Sequence, residues 1–232
     1  DLLEQTKQLA KAKNCKVAVM TFLPHPMTIL GNAKDRFLLT TNEKKRELLS
    51  LQGVDFLIEI NFNRDLSTLS PKEFLQKHIL TAKGLKALML GFNFSFGAKK
   101  AGTHEVVKEI LKDLGSSVEL HVAKSFELNG EIISSSKIRA SLDAGNVSKA
   151  AQYLNRPHSI RGLVVKGDGR GRTIGFPTAN IKVPEGQFYP RPGVYVTKTN
   201  YKSMFFHSLT NIGFRPTFAD NSALQFETHI LN

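Results

Sequence analysis

The sequence predicts an α/β protein in which a parallel-sheet domain precedes a small domain of antiparallel strands. In residues 1–154, short apolar strands alternate with amphipathic helices, the pattern of a doubly wound parallel sheet. Beyond Pro157, short strands separated by Gly/Pro turns predict an antiparallel β-barrel or sandwich. With 232 residues, 41% of them hydrophobic, the chain can bury two modest cores. We therefore expect domains at residues 1–157 and 158–232.

Periodicity and capping residues predict the individual elements. A helix that Gly53 ends can be capped by Thr40, Thr41 or Asn42. Ser70-Pro71 opens the next helix, with proline at its first position. The expected helices are 1–12, 42–53, 71–80, 103–115, 135–143 and 147–154. The expected strands are 15–23, 54–60, 86–91 and 117–123 in the first domain, then 159–166, 193–199, 204–212 and 224–231 in the second.

Composition and charge narrow the classes of protein. No apolar run approaches the roughly 20 residues needed to span a bilayer, and no signal peptide begins the chain. A single cysteine excludes an internal disulfide framework and favours a cytoplasmic location. The net charge of +12 suggests nucleic acid as a partner, but the lysines are scattered and no RNA-binding signature is present. We expect a monomer or weak homo-oligomer with small-molecule substrates, and neither nucleic acid nor membrane as a partner.

A glycine- and arginine-rich loop after the strand that begins the second domain predicts a polyphosphate site. Glycines let backbone N–H groups approach an anion closely, and arginines add fixed positive charge. A hydroxyl and an amide oxygen, Thr178 and Asn180, follow as hard ligands suited to Mg²⁺ on a nucleotide. A mobile turn has the same composition, and neither the Walker nor the Rossmann pattern fits. The candidate ATP-binding residues are Gly167, Gly169, Arg170, Gly171, Arg172, Gly175, Pro177, Thr178 and Asn180.

Glu227 is the candidate catalytic base of the second domain. It lies between Phe226 and Thr228 in an alternating strand, so its carboxylate should point to the opposite face from its neighbours. A carboxylate there can accept the proton of an alcohol during phosphoryl transfer from ATP, although a solvent-facing glutamate has the same spacing. Asn211, Gly213, Pro216 and Thr217 are expected to shape a neighbouring turn.

Three clusters in the first domain should lie at the carboxyl edge of the parallel strands, where such sheets bind ligands. The first, residues 21–26, presents His25 between two prolines. The second, residues 91–97, sets Asn93 among phenylalanines on a tight loop suited to a flat ring. The third, residues 133–142, has serines at the start of a helix whose N–H groups attract phosphate, with Arg139 one turn in. A structural histidine, a Phe-rich core turn and an ordinary serine cap are the alternative interpretations.

These motifs closely resemble those of bifunctional bacterial riboflavin kinase/FAD synthetases. The resemblance rests on the glycine loop with PTAN (177–180), on SSSKIR (134–139), and on the order of the two halves. It implies a Rossmann-like nucleotidyltransferase domain that transfers AMP from ATP to FMN, giving FAD and pyrophosphate. It also implies a riboflavin kinase domain in which Thr178 and Asn180 hold Mg²⁺ and ATP and Glu227 is the base. For the adenylyltransferase, the implied nucleotide and flavin residues are Phe22, Pro24, His25, Asn93, Ser135, Ser136 and Arg139.

One departure from the family pattern concerns the start of the chain. The family's G-x-F-D-G-x-H-x-G-H motif, which binds the phosphates of ATP, is absent, because residue 1 already lies in the helix expected after it. The final family segment of the kinase half is absent too. We expect a chain truncated at both ends and poor at making FAD. A kinase with a non-catalytic first domain and a flavin- or nucleotide-binding protein without turnover remain alternatives.

Overall fold

The computed structural model describes residues 2–31, 35–167, 170–173, 175–214 and 224–231. The helices are α1 (Leu2–Ala12), α2 (Pro26–Ile29), α3 (Asn42–Leu51), α4 (Arg64–Thr68), α5 (Pro71–Phe74), α6 (His104–Asp113), α7 (Ser135–Asp143), α8 (Val147–Leu154) and α9 (Arg170–Thr173). The strands are β1 (Ala18–Leu23), β2 (Arg36–Leu38), β3 (Phe56–Asn61), β4 (Ala87–Gly91), β5 (Glu119–Ala123), β6 (Glu127–Leu128), β7 (Glu131–Ile132), β8 (Leu163–Val165), β9 (Ala179–Lys182), β10 (Gly186–Gln187), β11 (Gly193–Tyr201), β12 (Met204–Phe214) and β13 (Leu224–Ile230).

Packing divides the chain into two compact units. The first comprises Asp1–Ala33 and Asn42–Ile133, and the second comprises Lys34–Thr41 and Ser134–Asn232. The second unit therefore includes an early segment of the chain, together with α7 and α8. These are units of packing, and the expected domain boundary at residue 157 stays a prediction.

The first unit is built on parallel strands, as the sequence predicts. Strand β1 pairs with β3, and β4 pairs with β5, both in parallel. The two pairs share one apolar core, because partly buried side chains from β1, β3, β4 and β5 pack on the same cluster. That cluster consists of Phe74, Leu75, Phe96, Val107, Ile110 and Leu111. Each pair ends in a loop that carries residues expected to bind ligands.

Local capping determines where several helices begin. Ser70 and Glu73 form a capping box at α5, with Pro71 at the first position. Thr103 caps α6 and Ser134 caps α7, each by accepting a hydrogen bond from a backbone N–H. The helix expected over residues 71–80 is only partly α-helical, because α5 continues as a π-helical segment over Leu75–Ile79.

The second unit contains a five-stranded sheet in the order β11–β12–β13–β9–β8, in which all neighbours are antiparallel. Strand β9 occupies part of the segment expected to be a loop. Within the described residues β8 does not pair with β11, so closure into a barrel stays a prediction.

Buried hydroxyl groups fix the register of three strands in this sheet. Thr210 on β12 bonds Thr197 on β11 at 2.9 Å and Thr228 on β13 at 3.0 Å. Ser208 is fully buried and bonds Thr199 at 2.6 Å. A slip of one residue would turn these hydroxyls outward and bury the opposite face, so the network specifies which side chains of β13 face outward.

Within the second unit, the described early residues 35–41 are held by backbone and side-chain contacts. Strand β2 pairs in parallel with β10, and the Phe188 N–H donates to the Leu38 carbonyl at 2.8 Å. Arg36 donates to the Tyr189 carbonyl at 2.5 Å and to Asp143 at 2.7 Å, and its guanidinium lies 4.8 Å from the centre of the Phe188 ring. Phe37 is 6% exposed, so this segment is part of the core of the unit.

His158 is a buried titratable group of the second unit. Its Nε2 donates to the Phe188 carbonyl over 2.9 Å, and its Nδ1 is buried without a hydrogen-bond partner among the described residues. Burial lowers the pKa of His158, and the bond to Phe188 only partly opposes that effect. The folded state therefore favours the neutral imidazole.

Candidate functional site

A row of polar residues crosses the five-stranded sheet at one level. Glu227 on β13 is directly opposite Asn180 on β9 and directly opposite Asn211 on β12. Directly paired residues of antiparallel strands project from the same face, with Cβ atoms about 4.5–5.5 Å apart. The expected catalytic base and an expected metal ligand are therefore neighbours, although 47 residues separate them in the sequence (227 − 180).

The carboxylate of Glu227 faces away from the buried side of the sheet. Phe226 and Thr228 are 6% and 7% exposed, whereas Glu227 is only half-buried. This alternation agrees with the orientation expected from the sequence. Within the described residues, no hydrogen bond or ion pair engages the Glu227 carboxylate, and the same is true of the Asn180 and Asn211 amides.

The glycine loop approaches this row closely. A Cβ added to Gly167 would lie 2.6 Å from Asn180 Cγ, and one added to Gly171 would overlap the Phe176 carbonyl oxygen. At Gly171 the obstacle is backbone and only glycine fits, whereas a Cβ at Gly167 would displace the Asn180 side chain. Gly175 has a φ of +82°, which also favours glycine. Residues 170–173 form the short helix α9, where the sequence predicts loop. The exposed Arg172 lies in it, while Gly169 and the Arg170 side chain lie outside what the structure describes.

Thr178 lies just before β9, two residues from Asn180, and is exposed. Because side chains alternate along an extended chain, Thr178 and Asn180 project to the same side. The carbonyl of the preceding Pro177 accepts a hydrogen bond from His229 Nδ1 at 2.7 Å. Thr178 therefore lies next to a backbone group held by the strand that carries Glu227.

Hard oxygen ligands are available here for a magnesium ion bound to a nucleotide. Mg²⁺ prefers oxygen and usually binds through one or two protein groups together with substrate phosphates and water. The Thr178 hydroxyl and the Asn180 amide oxygen suit that role. A cage of three or more His, Cys, Asp or Glu side chains is absent from the part of the chain that the structure describes.

Three of the residues expected for adenylyl transfer follow or end strand β1 in the first unit. Phe22 is a core residue, since its ring packs on Phe62 at 5.4 Å and on Phe74 at 5.9 Å. Pro24 follows β1, and its peptide bond with Leu23 is cis. His25 caps α2, where its Nδ1 accepts from the Met27 N–H at 3.2 Å. These contacts give Phe22 and His25 structural roles whether or not they bind ligands.

Asn93 lies on the exposed loop that follows β4, between two phenylalanines. Phe92 and Phe94 are 40% and 43% exposed, whereas Phe96 is buried and its ring lies 5.9 Å from that of Phe94. The loop therefore combines a buried anchor with exposed rings beside an amide, as a site for a flat ring requires.

The serine motif belongs to the second unit. Ser135 and Ser136 are exposed at the start of α7, while Ser134 accepts a hydrogen bond from the Lys137 N–H at 3.3 Å. Arg139 donates through Nε to the Phe37 carbonyl at 2.8 Å, and burial lowers the pKa of its guanidinium, which stays charged. The described contacts therefore bring Glu227, Asn180, Thr178 and the loop together, but they divide the adenylyltransferase residues between the two units.

Sequence reasoning missed three features of the second unit. Asn211 was expected to shape a turn, but it lies within β12 directly opposite Glu227. Pro216 and Thr217, assigned to the same turn, fall outside the described residues. The roles of His229 and Arg36 were not anticipated. For Asn211 and His229 a signal existed, because each lies in an alternating strand at a position that faces the same way as Glu227.

Comparison with known proteins shows which family this chain resembles. A family model for FAD synthetase matches residues 1–137, and one for riboflavin kinase matches residues 154–232. The bifunctional riboflavin kinase/FMN adenylyltransferase of Listeria monocytogenes is 35% identical over 100% of this chain, which covers 73% of that protein. The Bacillus subtilis protein of the same name is 36% identical over 91% of this chain and 66% of its own length.

A solved structure agrees with this assignment of fold. The crystal structure of a protein described as a macrolide-efflux protein from Streptococcus pneumoniae covers 100% of this chain and 74% of its own, with 30% identity and a TM-score of 0.86. The efflux activity in that description concerns the pneumococcal protein. None of the helices in the described residues has the length and apolar character to span a bilayer.

Together, the parallel strand pairs, the antiparallel sheet and the two family matches define a two-part α/β enzyme of flavin nucleotide synthesis. The chain belongs to the bifunctional riboflavin kinase/FMN adenylyltransferase family.

Proposed function

We propose that the second unit phosphorylates riboflavin to FMN, and that Glu227, Thr178 and Asn180 carry the reaction. The observation that supports this most directly is the pairing of Glu227 with Asn180 across β13 and β9. It sets a carboxylate without a partner in the described residues beside a hard metal ligand. Phosphoryl transfer from a nucleotide to an alcohol requires these two groups close together.

The role that we assign to each side chain in this reaction follows from its functional group. Glu227 accepts the proton of the primary alcohol of riboflavin as the alcohol oxygen forms a bond to the γ-phosphorus of ATP. The bond from that phosphorus to the β-phosphate oxygen breaks, and ADP leaves. Thr178 and Asn180 would hold a magnesium ion, which would neutralise charge on the phosphates. Backbone N–H groups of the glycine loop and the side chain of Arg172 add further stabilisation.

The second activity that we propose is adenylyl transfer to FMN. A phosphate oxygen of FMN forms a bond to the α-phosphorus of ATP, and pyrophosphate leaves. We assign ring and nucleotide contacts to Asn93, with Phe22, Pro24 and His25 shaping the neighbouring loop. Ser135, Ser136 and Arg139 would hold phosphate at the start of α7. Support comes from the resemblance of these motifs to the family and from the exposure of Asn93, Ser135 and Ser136.

One time course tests both activities. The protein is incubated with riboflavin, ATP and Mg²⁺, and riboflavin, FMN and FAD are separated by chromatography. FMN followed by slower formation of FAD is the expected result, and excess EDTA should abolish both products. FMN alone would confine the chemistry to the second unit. Flavin or ATP binding with neither product would contradict the proposed catalysis and favour a binding protein without turnover.

The proposal also covers the closure of the sheet, the location of the protein, its oligomeric state and its partners. We expect the sheet of the second unit to close into a barrel, and the protein to act in the cytoplasm as a monomer or weak homo-oligomer. We also expect small molecules rather than nucleic acid as partners. Binding to RNA that ATP and flavin do not displace would contradict the last expectation, and it would be recognised by a steep dependence on salt.

A further inference from the structure

His229 connects the strand of the proposed base to the segment of the proposed metal ligands. It follows Glu227 by two residues on β13, so both side chains project from the same face. Its Nδ1 lies 2.7 Å from the Pro177 carbonyl oxygen, and its ring meets the Phe176 ring edge-on at 5.5 Å. A carbonyl oxygen can only accept, so Nδ1 carries the proton and donates it.

This contact lies just beyond the end of the backbone pairing between the two strands. Backbone pairing between β13 and β9 covers Glu227 with Asn180 and Thr228 with Ala179, and it ends there. Continued at the same register, the ladder would place Thr178 opposite His229 and then Pro177 opposite Ile230, and proline has no N–H to donate. The His229 side chain bonds the Pro177 carbonyl beyond the last backbone pair and so extends the connection between the strands.

We propose that His229 is a positioning residue for the nucleotide–magnesium site. By holding the Pro177 carbonyl it fixes the plane of the peptide between Pro177 and Thr178, and so the direction of the Thr178 hydroxyl relative to Glu227. A backbone held in one orientation requires less ordering when the ligand binds. This inference rests on the proposed kinase function, because it assigns His229 to the same site.

Two substitutions at His229 separate positioning from general stability. His229→Leu removes the donor and keeps an apolar side chain of similar size, whereas His229→Asn keeps an N–H the same number of bonds from the backbone as Nδ1. Losing the bond should raise the KM for Mg·ATP by about three- to tenfold, with a smaller effect on the KM for riboflavin. His229→Asn should restore most of the affinity for Mg·ATP. His207→Leu is the matched control, because His207 is an exposed histidine on the neighbouring strand β12.

Two readouts do not depend on turnover. Calorimetry with the Mg²⁺ complex of a non-hydrolysable ATP analogue should rank the proteins in the same order as the KM values. Nitrogen NMR of the unliganded protein should find His229 protonated at Nδ1, whereas a free imidazole side chain favours the proton at Nε2.

Specific results of the binding and NMR measurements would contradict the positioning role of His229. Equal weakening of analogue binding by His229→Leu, His229→Asn and His207→Leu would overturn the positioning role, as would a His229 proton found on Nε2. If the unaltered protein makes no FMN, the proposed kinase function fails. The binding series and the NMR measurement then still decide whether His229 positions a nucleotide segment.

Discussion

Replacing Glu227 with glutamine should stop most FMN formation and leave the fold nearly unchanged. Glutamine keeps the size and shape of the side chain but cannot accept the proton of an alcohol. A general base accelerates such reactions by about 10²–10⁴-fold, so the activation free energy should rise by about 2.7–5.5 kcal/mol. The carboxylate is half-buried and has no hydrogen-bond partner in the described residues. The free energy of unfolding should therefore change by no more than about 0.5 kcal/mol.

Three measurements are needed for this substitution. Chromatography gives the initial rate of FMN formation, calorimetry gives the affinity for an ATP analogue with Mg²⁺, and thermal denaturation reports stability. Glu185→Gln makes the same change of charge at an exposed site of the second unit and should leave all three unchanged. If Glu227→Gln retained more than half of the wild-type rate, Glu227 would not be the base. A rate lost together with stability would instead indicate a structural role.

Three further substitutions test other parts of the second unit. Gly167→Ala would place a methyl group against the Asn180 amide, so Mg·ATP binding measured by calorimetry should weaken by about tenfold. Gly193→Ala is the control, because a methyl group there would make only ordinary contacts at 3.7 Å and should have little effect on binding. Equal effects of the two substitutions would refute the steric argument. Leu142 is fully buried, so Leu142→Ala should lower the free energy of unfolding in urea by about 2–5 kcal/mol, and a loss below 1 kcal/mol would refute this estimate of its packing. Burial lowers the folded-state pKa of His158 below its usual 6.5, so the unfolded chain takes up the proton first and stability should fall as the pH drops through 6.5. His158→Gln should flatten this part of the pH–stability curve, and an unchanged slope would assign the effect to other groups.

Capping and alternation rules predict the features that depend only on residues close together in the sequence. Ser70, expected to open a helix, caps α5, and the outward orientation of Glu227 follows from strict alternation with Phe226 and Thr228. The pairing of Glu227 with Asn180 could not be derived in the same way. It depends on the register between β13 and β9, two strands that lie far apart in the sequence.

Contacts between distant parts of the chain could not be predicted from local sequence patterns. Strand β2 has only three residues and pairs with the two residues of β10, so neither shows a periodic pattern. From the sequence, Arg36 resembles an ordinary surface arginine, and only the structure shows its contacts with Tyr189 and Asp143. The π-helical segment after α5 was also missed, because its composition is that of an α-helix.

The place of Lys34–Thr41 in the second unit has a consequence for synthesis in the cell. Arg36 leaves the ribosome 153 residues before Tyr189, its backbone partner. At about 5–20 residues per second, the segment waits about 8–30 s for β10, the strand with which β2 pairs. During that interval an apolar side chain and an unpaired strand edge are open to other chains or to chaperones. Slower translation between these two points should lengthen that exposure and lower the yield of folded protein.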